Sequence, residues 1–207
     1  MCYQYTIMVL ESLMGPVSAE KRPWVMILLG FLYTTVAFFL SNWIFTEYAS
    51  LVMVFLIAIA AAPIMYRAIK HEEKIDLIYE QEKQILLHHL KALNFMMFLF
   101  IGITVAYALW YLVLPAEMTL GLFNVQEETI TRINGQVTAN AISGFDHFSK
   151  IFFNNLRVMI FCILFSLTYG LGAIFILVWN ASVIGVALGN FIRSKLALYS
   201  SAVGLAN

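Results

Sequence analysis

Charge is what this chain has least of. Of its 207 residues only 12% are charged, against 62% hydrophobic, and the mean hydropathy is +0.85. A soluble domain carries about a quarter of its residues as charges, so this balance excludes an ordinary water-soluble globule and requires an integral membrane protein. Twelve basic residues cancel twelve acidic ones, which leaves no electrostatic case for nucleic acid. Cysteine is almost absent. Cys2 and Cys162 stand near the start and inside an apolar run, with no metal spacing and no disulfide expected between them. The opening MCYQYTIMVLESLMG has no basic region followed by an apolar run and a small-residue cleavage site, so it does not read as a signal peptide. The first spanning helix is expected to direct insertion. No Ser/His/Asp set, Cys/His pair, metal cluster or phosphate-binding glycine loop is placed for chemistry. No acidic residue stands in the middle of an apolar run, which argues against a proton-coupled transporter. The reading is of a non-enzymatic protein with no cofactor.

Long apolar runs are what the chain has instead. Trp24 to Phe45 is a first span, with Pro23 suited to a first-turn position and Trp24 and Trp43 bracketing the run as interfacial aromatics. Thr46-Glu47-Tyr48 is too short to do more than reverse direction, so the span over 49–69 is an antiparallel neighbour. Ala58, Ala60, Ala61 and Ala62 give that second span a small-residue patch for close packing, and Pro63 is expected to kink it. A third span covers 94–114 and ends at Pro115. A fourth covers 158–179, where thirteen Leu, Ile, Val and Phe residues alone favour insertion by roughly 4–8 kcal/mol.

Between the spans the chain turns amphipathic. Residues 1–22 carry Tyr5, Met8, Val9 and Leu13 at helical spacing and read either as a helix on the membrane surface or as a disordered terminus. Residues 67–93 are highly charged but keep an apolar stripe through Ile69, Ile75, Ile78, Ile85, Leu86 and Leu90, as in an amphipathic helix or helical hairpin outside the hydrocarbon. The histidines there, His71, His88 and His89, match no metal motif, and a solvated face is the better reading. Residues 116–150 place Ile130, Ile133, Val137, Ala141, Phe145 and Phe148 three or four apart. They are expected to form a helix lying on the bilayer and running into span four, with Asn134-Gly135 as a possible interruption. Alternating the sides puts Lys21, Arg22, Arg67, Lys70, Lys74, Lys83, Lys91, Arg193 and Lys195 together and Arg132, Lys150 and Arg157 opposite. The positive-inside rule then places the N-terminus and the 67–93 helix in the cytoplasm and 116–150 outside.

The stretch from Lys150 to Ile192 holds the least expected polar residues. Asn154, Asn155 and Arg157 precede the fourth span, where they fit a partner helix, a lipid head group or plain interfacial hydration. Trp179-Asn180 reads as a polar break at the cytoplasmic interface. Residues 181–207, apolar but interrupted by Gly185, Gly189, Asn190, Arg193 and Lys195, then form a re-entrant or incomplete span, as expected of a chain that continues further. Gly170, Gly172 and the Gly185-x-x-x-Gly189 pair favour close helix packing over a substrate path. Asn180 and Asn190 fit either a polar cavity or helix ends. The fold class is therefore all-α: a polytopic helical membrane protein of about four full spans, a broken or re-entrant C-terminal segment and amphipathic interfacial helices.

The run NNLRVMIFCILFSLTYGLGAIFILVWNASVIGVALGNF resembles the core of the stage II sporulation protein M family. That resemblance rests on Asn154-Asn155, Gly170 and Gly172, Asn180-Ala181, and Gly185 with Gly189. The segments MVLESLMGPVSAEKRPW and LGFLYTTVAFFLS are similar to the archaeal branch in particular. In spore-forming bacteria, members of the family are membrane scaffolds that hold peptidoglycan-degrading enzymes. The resemblance implies a multi-pass protein of the cell membrane that scaffolds partner proteins or organises the membrane, in contact with lipids and with protein partners or further copies of itself. The alternative is a permease or channel component with a polar path beside residues 180–192. An enzyme acting on lipid would need more polar groups than Asn154, Asn155 and Arg157 supply.

Overall fold

In the computed structural model, residues 22–76, 82–139 and 172–202 are described, together with 148–149, 152–153, 155–157, 159–160 and 163. Every regular element among the described residues is an α-helix. They are α1 (Val25–Ile44), α2 (Ala49–Asp76), α3 (Glu82–Val113), α4 (Ala116–Leu122), α5 (Asn124–Ala139) and α6 (Gly172–Ala202). Four stretches are long and apolar enough to cross a membrane: Val25–Ile44, Ala49–Ala68, Leu93–Val113 and Gly172–Ser201.

Each span forms because its backbone polar groups have nowhere else to go. In hydrocarbon an unpaired peptide group costs several kcal/mol, and a helix pairs them all internally. The few polar side chains on α1 follow the same logic: the Thr34 hydroxyl donates to the Gly30 carbonyl at 2.8 Å and Ser41 donates to Phe38 at 3.1 Å. Pro23 leads into α1, with the Met26 N–H on its carbonyl at 2.9 Å. α2 runs on through Pro63 to Asp76. α3 stops at Val113, just before Leu114, whose backbone Pro115 restricts away from the helical region.

The bundle is built around α3, which packs against α1 on one side and α6 on the other, while α2 closes against α1 and α6. Glycine makes both α3 contacts possible. A Cβ on Gly30 of α1 would stand 2.6 Å from the Leu99 carbonyl oxygen of α3, and Gly102 of α3 presses on Ile27 of α1 in return. On the other side a Cβ on Gly185 of α6 would stand 2.6 Å from the Thr104 carbonyl, and one on Gly189 2.8 Å from Tyr111 Cβ. At Gly30, Gly102 and Gly185 backbone meets backbone with no side-chain layer between, and at Gly189 the Tyr111 side chain packs directly on the α6 backbone. Phe95, Leu99, Ile103 and Tyr107 of α3 are fully buried among Met26, Met53, Ile57, Ile174 and Val178. Leu28, Leu32, Val36, Phe39 and Trp43 form the outward stripe of α1, spaced for lipid.

The same contacts fix direction. Residues 185, 189 and 193 of α6 meet α3 at progressively later positions, so α6 runs parallel to α3. Ile27 against Gly102 and Thr35 against Trp110 make α1 parallel to α3 as well. α2, which returns through a short turn, is antiparallel. One end of the bundle therefore carries the starts of α1, α3 and α6, and the other carries Val113.

Several expectations are corrected here. The fourth described span is Gly172–Ser201; of the expected span over 158–179, residues 172–179 belong to it and half of the stretch lies outside the described residues. Asn180 neither breaks nor caps a helix, and 181–202 is neither re-entrant nor incomplete. α6 passes unbroken through both. The physical reason is local: Asn180 Nδ2 donates to the Ile176 carbonyl at 2.8 Å, so its amide is satisfied on its own helix. Arg193 and Lys195 consequently lie at the Val113 end, opposite Arg67, Lys70, Lys74, Lys83 and Lys91. Of the two readings of the charged stretch 67–93, its described part fits the helical hairpin and not a separate amphipathic helix. It is the continuation of α2 to Asp76 and the start of α3 from Glu82. Asn134-Gly135 does not interrupt α5. Residues 1–21, with the surface helix expected there, lie outside the described residues.

Candidate functional site

The buried polar side chains gather at the Val113 end, where α5 enters the bundle. Gln126 is the centre of one group. It is in phase with Ile130 of α5 and with Phe123 just before that helix, so the face that buries those apolar residues carries its amide inward as well. Gln126 is completely buried. The Ser50 hydroxyl of α2 donates to Gln126 Oε1 at 2.5 Å, and Gln126 Nε2 donates to Ser182 Oγ of α6 at 3.3 Å. Ser182 commits its one proton to the Trp179 carbonyl at 2.7 Å. That commitment fixes the amide orientation, because Ser182 can only accept from Gln126. Three helices distant in sequence are thus joined through one side chain.

The next residue of α5 reaches a different helix. Successive helical residues point about 100° apart, so while Gln126 faces α2 and α6, Glu127 faces α3. Its carboxylate accepts the Tyr111 hydroxyl at 2.7 Å. On the other side of Tyr111 lies Arg193 of α6, its guanidinium 4.8 Å from the ring centroid. Arg193 donates to the carbonyls of Tyr111, Leu112 (3.3 Å) and Leu114 (2.5 Å), with Thr119 Oγ1 3.5 Å away. These carbonyls belong to the last turn of α3 and to Leu114 just after it, where no further turn receives them. A cation there also meets the negative end of the α3 dipole. Arg193 is therefore the C-terminal cap of α3, supplied by another helix. The Phe123 ring fills the space between the two groups, 5.9 Å from Tyr107 and 5.7 Å from Tyr111 between ring centroids.

This arrangement is suited to holding helices in register. In membranes an interhelical hydrogen bond contributes about 0.6 kcal/mol on average, whereas a buried group left without its partner costs about 1–3 kcal/mol. The network thus discriminates against misplaced helices more strongly than it stabilises the correct placement. Among the described residues no three His, Cys, Asp or Glu side chains stand together as a metal site.

The residues singled out in the sequence fall elsewhere. Gly185 and Gly189 lie in the α3–α6 contact, and Gly172 opens α6. Asn180 and Asn190 are exposed on α6, and Asn155 and Arg157 are exposed helical residues. Asn154 and Gly170 are outside the described residues. Among the described residues, none of these asparagines joins the polar groups around Gln126 and Arg193. The residues that do, Ser50, Tyr111, Thr119, Gln126, Glu127, Ser182 and Arg193, are not among the sequence candidates. Two signals for them exist. Gln126 keeps phase with the Ile130 and Ile133 stripe, and Arg193 continues the four-residue spacing of Gly185 and Gly189.

No curated protein and no solved structure matches the chain. The family profile described as stage II sporulation protein M matches residues 92–206, more than half of the chain, from within α3 to the end of α6; of the polar residues described above only Ser50 lies outside it. This multi-pass helical protein belongs to the stage II sporulation protein M family.

Proposed function

We propose that the protein is a non-enzymatic scaffold of the cell membrane, presenting a fixed helical frame to protein partners, to further copies of itself and to lipid. The observation that carries this reading is the use made of the functional-looking groups. Gln126, Glu127, Arg193 and the glycines of α1, α3 and α6 are engaged with the chain itself. The N-terminus is assigned to the cytoplasm. Among the described residues Arg22, Arg67, Lys70, Lys74, Lys83 and Lys91 share one end of the bundle, against Arg132, Arg193 and Lys195 at the other. A permease or channel would need a polar path beside 180–192, and on the α3 side that face is closed by Gly185 and Gly189.

The test is crosslinking in native membranes followed by affinity purification of the intact protein. Defined protein partners or self-crosslinked species recovered in fixed proportion support the scaffold. Recovery of the protein alone, together with solute flux or substrate turnover in liposomes, overturns it.

A further inference from the structure

Among the described residues, two buried side-chain oxygens have no hydrogen-bond partner in the protein: Thr104 Oγ1 and the Tyr107 hydroxyl, one turn apart on α3. Tyr107 is the stronger case. It is the largest fully buried side chain, and Ser182 lies beside its hydroxyl without forming a hydrogen bond of good geometry. A buried phenol without a partner costs about 1–3 kcal/mol, and in a bundle immersed in lipid no bulk water relieves it.

The neighbouring groups have unused capacity of the right kind. Ser182 donates to Trp179 and accepts from Gln126, which leaves one lone pair. Gln126 uses one of its two amide protons on Ser182, and that bond is long at 3.3 Å. We infer that a single water molecule is held at the junction of α3, α5 and α6, bridging the Tyr107 hydroxyl to Ser182 and the Gln126 amide. A site for a buried water needs two to four polar partners, and these three side chains supply them. The chemistry selects water over a cation. The partners are neutral, and Gln126 turns its donor nitrogen, not its oxygen, toward Ser182. A metal ion would find one inward amide proton and no carboxylate there. The bound water explains why a tyrosine stands in an otherwise apolar stripe of α3, and it adds α3 to the group already joining α2, α5 and α6.

The experiment uses the full chain in lipid nanodiscs. Tyr107→Phe removes only the hydroxyl, so the fold is kept. The folding equilibrium is expected to fall about 2- to 10-fold, the range of one net hydrogen bond. Combined with Gln126→Met, the two effects are expected to be less than multiplicative, because both variants release the same water. Magnetisation transfer from water to the side-chain amide of 15N-labelled Gln126, assigned by its loss in Gln126→Met, is expected in the native chain and absent in Tyr107→Phe. A Tyr107→Phe variant more stable than the native chain overturns the inference, because the hydroxyl would then stand unpartnered. Destabilisation without any water-to-Gln126 transfer also overturns it, in favour of a direct Tyr107–Ser182 bond.

Discussion

Replacing Arg193 by methionine isolates the cap that α6 gives to α3. Methionine keeps an apolar stem of similar length, so the change removes the guanidinium rather than the packing of the chain that carries it. The hydrogen bonds of the charged group to the α3 carbonyls are worth about 1.5–3 kcal/mol for the strongest of them. The contact with the Tyr111 ring adds about 0.5–1 kcal/mol. The dipole attraction at the end of α3 is largely the same electrostatic energy and is not counted again. The Thr119 contact at 3.5 Å contributes little. Arg193 is only partly buried, so water recovers some of the loss. The expected destabilisation is about 2–3 kcal/mol, measured by reversible unfolding in mixed micelles. Hydrogen exchange supplies the local readout. The Leu114 N–H, held on the Trp110 carbonyl at 3.1 Å, is expected to exchange faster, while amides of the α1 interior do not. Arg193→Lys keeps the charge but cannot span three carbonyls, and is expected to restore about half of the loss. If Arg193→Met changes stability by less than about 0.5 kcal/mol and leaves Leu114 protected, the cap is not what holds the end of α3.

The glycine contacts give a contrast within one experiment: Gly185→Ala forces α3 and α6 apart and is expected to cost about 1–3 kcal/mol. Gly135→Ala meets nothing within 4 Å on an exposed part of α5 and is expected to be neutral or stabilising by up to about 1 kcal/mol in the same unfolding assay. Direction can be read by labelling intact cells with an impermeant maleimide, in a background where Cys2 and Cys162 are serine. Cysteines at Met118 and Tyr199 are expected to react from the same side and one at Lys83 from the other. Reaction of Tyr199 and Lys83 positions from one side would contradict the parallel α3 and α6. For the Ser50–Gln126 bond, a double-mutant cycle of Ser50→Ala with Gln126→Met is expected to give a coupling of about 0.6–1.7 kcal/mol. Strict additivity would mean that the 2.5 Å contact contributes nothing.

Three of the four spans were legible to within a residue or so. Runs of about twenty apolar residues, bounded by Trp24, the Thr46–Tyr48 turn and Pro115, allow little else in a bilayer. The fourth differs for one reason. A Trp-Asn pair followed by glycines resembles a helix end at an interface, but an asparagine can return its amide to the carbonyl four residues back, and hydropathy does not register that bond. The same unbroken helix moves Arg193 and Lys195 to the Val113 end. The polar core was less legible still. Ser50 and Gln126 are separated by 76 residues, and Gln126 and Ser182 by 56, and nothing in a hydropathy profile pairs them. The signal the sequence does carry is phase: Gln126 stands where α5 should bury an apolar residue. A polar side chain at such a position announces a buried partner before the partner is known.

The paired reach of Gln126 and Glu127 gives α5 a mechanical character. Its first turn is gripped from two directions, by Ser50 and Ser182 on one side and by Tyr111 on the other. Thr131 to Gly135 are exposed on the same helix. The helix is thus a lever with its fulcrum inside the bundle. A load on Ile133 acts about 10 Å from Gln126, at 1.5 Å per residue, and the resulting torque falls on three spanning helices at once. Whatever touches the exposed part of α5 is felt at the α2, α3 and α6 junction without any span having to slide along its glycine contacts.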